Sequence, residues 1–229
     1  MNDSMTLTRT WLKWRPPQLL FDESQESEFI ALNRDARLSH FLRSGMVALL
    51  VYDLFLLSDK MMAPDVFEQA VWIRLGLFTP FGLGLILFCY LCRPVVDRMP
   101  AWAPELLVAV SGVLAAASLC VVLVQTSSPW GVMYRAGLMP ILIYGNVVQR
   151  FRFRFAVVFT LFVLAVYLIS VGAVINHPRP FPELEMPMAL LITTIAGYTL
   201  LINFRLELEE RRRFSRTERA KLLREQLDR

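Results

Sequence analysis

Charge is scarce in this chain: 19% of its 229 residues are Asp, Glu, Lys or Arg, against about 25% in an ordinary soluble domain. Cysteine is scarcer, with three residues in all, and Cys89, Cys92 and Cys120 each fall within an apolar block. A secreted disulfide framework places an even set of cysteines in polar loops, so that architecture is excluded. Cys89-Tyr-Leu-Cys92 has C-x-x-C spacing, but no βαβ pattern surrounds it, and its thiols read as small buried hydrophobes. Histidine occurs only at His40 and His177, which the topology derived below puts on opposite sides of a membrane, where they share no metal. Residues 1–40 are polar and of mixed charge, and do not read as a signal peptide. A phosphate-cradling glycine loop is missing, and so is any nucleophile with base and oxyanion donors. No catalytic residue, metal, cofactor or nucleic-acid partner is therefore expected.

What the chain has is apolar residues, 55% of the total, with a mean hydropathy of +0.47. They come in blocks at 41–58, 70–92, 104–125, 131–148, 155–175 and 186–204 rather than scattered at helical or strand period. Blocks near 20 residues match a hydrocarbon core of about 30 Å, and only helices or closed barrels satisfy the backbone in lipid. Continuous runs without period-2 alternation select helices. The expected fold is all-α, a polytopic membrane protein with a six-helix transmembrane bundle. Residues 1–40 form an N-terminal arm with an amphipathic helix, 41–204 the bundle, and 205–229 a long signalling helix.

Orientation follows from Lys/Arg asymmetry across the membrane. One side receives twenty of the 24 Lys+Arg: six in 1–43, two in 93–103, three in 149–154 and nine in 205–229. The other side receives only Lys60 and Arg179, while Arg74 and Arg135 lie within spans. Both termini are thus expected in the cytoplasm, with the spans in a bacterial inner membrane. The outer loops are short, so a stimulus must be read within the bundle or at its outer mouth.

Residues 205–229 are helix formers without Gly or Pro, and one helix is expected from about Met188 to the terminus. Leu206, Arg213, Ala220 and Leu227, with Leu223 one turn earlier, form a sparse heptad. That seam is too polar for a strong coiled coil, which leaves a basic tail lying on anionic lipid or a weakly dimerising signalling helix. The helix reads as one interrupted before a fused output domain. In the arm, Trp11, Trp14 and Phe21 among Arg9, Lys13 and Arg15 suit a headgroup-level anchor. A helix with Phe29, Ile30, Leu32, Leu38 and Phe41 on its apolar face starts from Ser24.

Ionisable residues within spans are costly and mark functional candidates. Asp53, Arg74 and Arg135 fall in the outer half, with Tyr134 and Gln125 at similar depth. Two readings stay open. Asp53 pairs with one of the two arginines, stapling helices while the other arginine snorkels. Alternatively the three, with Tyr134 and Gln125, line an outward-opening pocket whose spare guanidinium takes the anionic head of a small amphiphilic ligand. Asn146 and Gln149 read as helix-to-helix hydrogen bonds, and Glu105 as a carboxylate at a helix N-terminus.

Three stretches carry a resemblance. They are Tyr52-Asp-Leu-Phe-Leu-Leu-Ser-Asp59 with Pro64-Asp-Val-Phe67, Ile73-Arg-Leu-Gly76 and Thr79-Pro80; Gly137-Leu-Met-Pro-Ile-Leu-Ile-Tyr-Gly-Asn146 with Arg150-Phe-Arg-Phe-Arg154; and Asn203-Phe-Arg-Leu-Glu-Leu-Glu-Glu-Arg-Arg-Arg213. Over residues 35–229 the chain resembles the six-transmembrane, MASE-like N-terminal sensor region of bacterial GGDEF diguanylate cyclases. Similar regions precede class III adenylate cyclases. The resemblance implies a homodimeric sensor passing its signal along the last helix to a nucleotide cyclase, most directly one making cyclic di-GMP. No GGDEF sequence occurs here, so the chain itself is not expected to be an enzyme. A histidine-kinase input would need a phosphoacceptor His on the exit helix, and none follows residue 177. A small transporter would be expected to show internal repeats or paired broken helices.

Overall fold

A computed structural model describes residues 21–173 and 181–227. Among them the chain is helical, without strands. We number the helical rods α1 (Ser24–Met62), α2 (Pro64–Leu91), α3 (Arg93–Arg98), α4 (Ala103–Gln125), α5 (residues 131–148), α6 (Phe153–Ala173) and α7 (Glu185–Leu227). In α1, α2, α4, α6 and α7, five helices among the described residues are long and apolar enough to cross a membrane.

The fourth apolar block behaves differently. α5 runs as an α-turn (Gly131–Tyr134), a 3-10 turn (Arg135–Gly137), a second α-segment (Leu138–Ile143) and a π-turn (Tyr144–Val148). Gly131, Gly137, Pro140 and Gly145 punctuate it, and such residues loosen a helical ladder. A second π-turn, Trp72–Phe78, interrupts α2. The helix expected from Ser24 runs on into the first apolar block, with its ladder interrupted only at Phe55. The helix expected from Met188 starts three residues earlier, at Glu185.

α4 and α6 pack most extensively, and α5 and α7 complete a core around Leu119, Leu138, Leu142, Phe159 and Val163. Small residues make this closeness feasible, as helix association in lipid relies on van der Waals fit. The ring of Phe159 sits against both Gly112 and Gly145, where an added Cβ would collide with it. Gly82 similarly admits Leu49 of α1 against α2. Gly84, by contrast, has open space around it.

The arginine-rich connections gather at one end of the bundle. Arg34 donates to the carbonyls of Val96 and Met99 at 2.8 Å, closing the C-terminal end of α3. Glu105, expected as a helix-end carboxylate alone, is buried between Arg37 and Arg152, each 3.0 Å away. Arg150, in the tight turn between α5 and α6, holds a left-handed φ of 52°, and Arg37 donates to its carbonyl at 2.7 Å. At the opposite end Asp65 fastens the α4–α5 connection to the start of α2. Its carboxylate accepts from Thr126 Oγ1 at 2.6 Å, from the Ser127 amide at 2.7 Å and from Ser127 Oγ at 2.9 Å.

The N-terminal arm was expected as a headgroup-level anchor, and residues 205–229 as either a basic tail on lipid or a weakly dimerising signalling helix. No contact between the two segments was foreseen, yet they clasp each other. Arg211 of α7, 2% exposed, donates to Glu26 of α1 at 2.7 Å and pairs with Glu207 at 2.8 Å. Its guanidinium stacks on Phe21 and Phe29 at 4.9 and 5.1 Å, and Phe214 packs on both rings. Phe21 therefore belongs to an aromatic cluster with Phe29 and Phe214. Trp11 and Trp14, with Arg9, Lys13 and Arg15, lie outside the described residues, as does His177.

Candidate functional site: an apolar cavity beside a neutralised arginine

The centre of the site is Arg74, carried by the π-turn of α2 and 2% exposed. Asp59, at the far end of α1 and fully buried, meets it as a two-pronged partner, with Nε to Oδ2 at 2.5 Å and Nη2 to Oδ1 at 3.2 Å. A paired fork of this kind is the strongest form of charge-assisted hydrogen bond. The Tyr134 hydroxyl donates to Asp59 Oδ1 at 2.5 Å and accepts from Arg74 Nη2 at 3.1 Å. Arg74 Nη1 donates to the Tyr52 carbonyl at 3.1 Å, beside the interruption of α1, and the guanidinium lies 4.4 Å from the Tyr52 ring. Tyr52 in turn shares a 2.5 Å hydrogen bond with Ser118 of α4. α1, α2, α4 and α5 are thus tied at one charge-balanced knot.

This arrangement corrects the expected pairing. Asp53 meets neither arginine; it accepts from Thr79 Oγ1 at 2.7 Å and is half-buried. Arg135 pairs with Glu185 at the start of α7. Asp59 and Glu185 had been placed in loops, and with them counted neither buried guanidinium is spare. The ground for expecting an anionic head is thereby removed. Gln125 is exposed at the end of α4 and takes no part in the knot. Of the expected residues, Arg74 and Tyr134 come together, while Arg135, Asp53 and Gln125 stand apart.

Between α1, α2, α4 and α5 lies a cavity of about 410 Å³, within the usual range for small-molecule sites of about 300–1,000 Å³. Its walls are aliphatic and aromatic, including Leu49, Phe78, Ile86, Val108 and Leu119. Arg74 and Tyr52 border one end; Ser44, Tyr144 and Gln149 border the other. At this second end Ser44 Oγ donates to Gln149 Oε1 at 3.0 Å, and Gln149 Nε2 donates to the Tyr144 hydroxyl. Both π-turns contribute to the lining, through Arg74 and Phe78 on α2 and through Tyr144 and Val148 on α5. Single π-turns within helices are frequent at functional sites.

No family model, curated protein or solved structure matches the chain. Its chemistry has therefore to be read from the geometry. Among the described residues no three His, Cys, Asp or Glu side chains converge as a metal site would require, and the cysteines are free thiols.

The π-turn that lines the cavity also reaches α7. Asn146, buried within it, donates to Thr160 of α6 at 2.8 Å and to Thr199 of α7 at 3.0 Å. Asn203 of α7 donates through its Nδ2 to the carbonyls of Asn146 at 2.7 Å and Phe151 at 2.8 Å. One turn further, Glu207 accepts the Phe153 amide at 2.5 Å while holding Arg211. The side-chain carbonyls of Asn146 and Asn203 are buried without a donor, which costs roughly 1–3 kcal/mol for each such group. On the seam, Leu206 is half-buried in the bundle, whereas Arg213, Ala220, Leu223 and Leu227 are exposed.

Sequence reasoning had placed Asn146 correctly as a helix-to-helix group. It missed Asn203, an amide in the last turn of an apolar block, where such a group signals a helix-to-helix partner. Glu207 and Arg211 carry the i,i+4 spacing of a helical ion pair, but Glu26 lies 185 positions from Arg211 and carries no local signal.

Proposed function

We propose that this chain is a membrane-embedded sensory module. In this reading α1, α2, α4, α5, α6 and α7 span a bacterial inner membrane six times, with both termini cytoplasmic, as the arginine-rich end of the bundle supports. A ligand taken into the cavity acts through α7 on a cytoplasmic nucleotide cyclase. The sequence resemblance points to a diguanylate cyclase, with a class III adenylate cyclase as the alternative output. The exposed face of Arg213, Ala220, Leu223 and Leu227 meets its counterpart in a second copy, making the signalling unit a homodimer.

One observation carries the reading: a single π-turn both lines the cavity, through Tyr144 and Val148, and holds the exit helix, through Asn146 and Asn203. A change in the cavity that resets this turn must alter the bonds to Thr199 and Asn203. The unsatisfied carbonyls leave that joint short of its best hydrogen bonding, as befits an element with two arrangements.

Fusing residues 1–229 to a diguanylate cyclase catalytic domain, in bacteria deprived of their own cyclases, tests the proposal. Filling the cavity with Ala48→Phe should change cyclic di-GMP by about fivefold or more, the low end of allosteric couplings. Asn203→Ala should abolish that difference. Equal output from all variants at equal membrane levels would refute it.

A further inference from the structure

The cavity's chemistry specifies its occupant more narrowly than the sensory reading on which this inference rests. The lining follows α1 from Leu38 to Phe55, a run of about 25 Å at 1.5 Å per residue. With a volume of about 410 Å³ drawn out along that run, the cavity is elongated parallel to the helices. That shape suits one extended hydrocarbon chain better than a compact ring system.

The polar groups along this channel are already engaged. Arg74 is neutralised by Asp59, and Tyr52 by Ser118. Ser111 Oγ donates to the Val108 carbonyl at 2.8 Å. At the Gln149 end the single Ser44 proton is shared between the His40 carbonyl at 2.6 Å and Gln149 Oε1 at 3.0 Å, and Gln149 Nε2 donates to the Tyr144 hydroxyl. An ionised head of either sign would lose its hydration and meet no free counter-charge, at a cost of several kcal/mol. Ser44 and Ser111 keep acceptor capacity, and the Tyr144 hydroxyl can still donate or accept, enough for a small uncharged polar head, whether hydroxyl or ester.

We propose that the cavity between α1, α2, α4 and α5 binds one extended hydrocarbon chain with an uncharged, hydrogen-bonding head. The chain belongs either to a free single-chain alcohol or ester or to one tail of a bilayer lipid. Both sources present the same surface to the channel. The Gly82–Leu49 contact holds α1 against α2 and the Gly137–Leu119 contact holds α5 against α4, so packing keeps the wall helices in place.

The test uses the full 229-residue chain in lipid nanodiscs, with three photoactivatable probes carrying the same diazirine mid-chain: hexadecanol, hexadecanoate at pH 8, and a phosphatidylcholine with one labelled tail. Labelled positions are mapped by mass spectrometry. Hexadecanol should label cavity-lining positions of both α1 and α4, at least fivefold above hexadecanoate, and unlabelled hexadecanol should compete. Ala48→Phe and Ser111→Phe, which fill the channel from different helices, should each remove most of this labelling while keeping lipid-facing labels at Leu50 and Leu57. Equal labelling by the phosphatidylcholine supports the proposal and assigns the occupant to the bilayer; competition by hexadecanol alone assigns it to a free amphiphile. Hexadecanoate labelling as strong as hexadecanol overturns the uncharged head. Labels confined to lipid-facing residues, or undiminished in both filled variants, overturn the site. If the channel labels as expected but the cyclase fusion is indifferent to Ala48→Phe, the site stands and the sensory reading falls.

Discussion

Replacing Asp59 by Asn removes one charge from the central knot with almost no change in shape. Asp59 is fully buried and Arg74 is 2% exposed, so the arginine would be left charged in an apolar setting. Two unit charges about 4 Å apart interact by about 4 kcal/mol at an effective dielectric of 20, and breaking buried pairs costs about 3–5 kcal/mol. The Tyr134 hydroxyl would also lose its charged acceptor, now 2.5 Å away. For a chain of this size each kcal/mol moves the melting temperature by roughly 2–4 °C, so Asp59→Asn should lower it by roughly 6–20 °C. Tryptophan fluorescence during heating in nanodiscs reads this. Removing both charges, as Asp59→Leu with Arg74→Met, should recover most of the loss, since well-packed apolar replacements of buried pairs are often neutral or stabilising. A single variant within about 2 °C of the parent, or a double variant as unstable as the single, would refute the assignment of this pair.

Asn203→Ala deletes two buried hydrogen bonds and should cost about 1–3 kcal/mol, visible as faster amide exchange at Phe153 and Asn146; unchanged exchange would separate α7 from α5. Gly145→Ala drives a methyl into the Phe159 ring and should destabilise by about 1–3 kcal/mol, whereas Gly84→Ala, with open space around it, should be silent in the same melt. The Asp65 carboxyl is desolvated, which opposes ionisation, yet the donors from Thr126 and Ser127 outweigh this and hold it below the usual carboxylate range. Its fastening is therefore complete above about pH 4 and lost as pH falls through the lowered value. Exchange at the Ser127 amide should rise only in that acid window, and loss between pH 7 and 5 would contradict the assignment. In a background without native cysteines, membrane-impermeant maleimide should reach Pro129→Cys in intact cells and miss Thr217→Cys; labelling at Thr217→Cys would overturn the proposed orientation.

Much of the scaffold was legible because five of the six apolar blocks form helices long and apolar enough to cross a membrane. Arg74, Arg135 and Tyr134 stood out for the same reason, as polar residues in apolar surroundings. Their partners did not stand out. Asp59 and Glu185 sit at block edges, where boundaries are uncertain by about 2–4 residues, and a small error turns a buried partner into a loop acid. Asp53 was favoured instead because it lay inside a block, although its side chain faces Thr79. The interruptions of α5 were written in Gly131, Gly137, Pro140 and Gly145 but masked by the block's continuous hydropathy. The clasp of Glu26 and Arg211 depends on how two long helices extend past the bundle, which no local pattern encodes.

The central claim is that the cavity and α7 are coupled through the Asn146–Asn203 joint. Spin labels at Leu32→Cys on α1 and Thr217→Cys on α7, both exposed positions, report that coupling as an intramolecular distance distribution in nanodiscs. Filling the channel with Ala48→Phe should shift the distribution, and adding Asn203→Ala should remove the response to filling. A distribution identical in the parent and in Ala48→Phe would contradict the account.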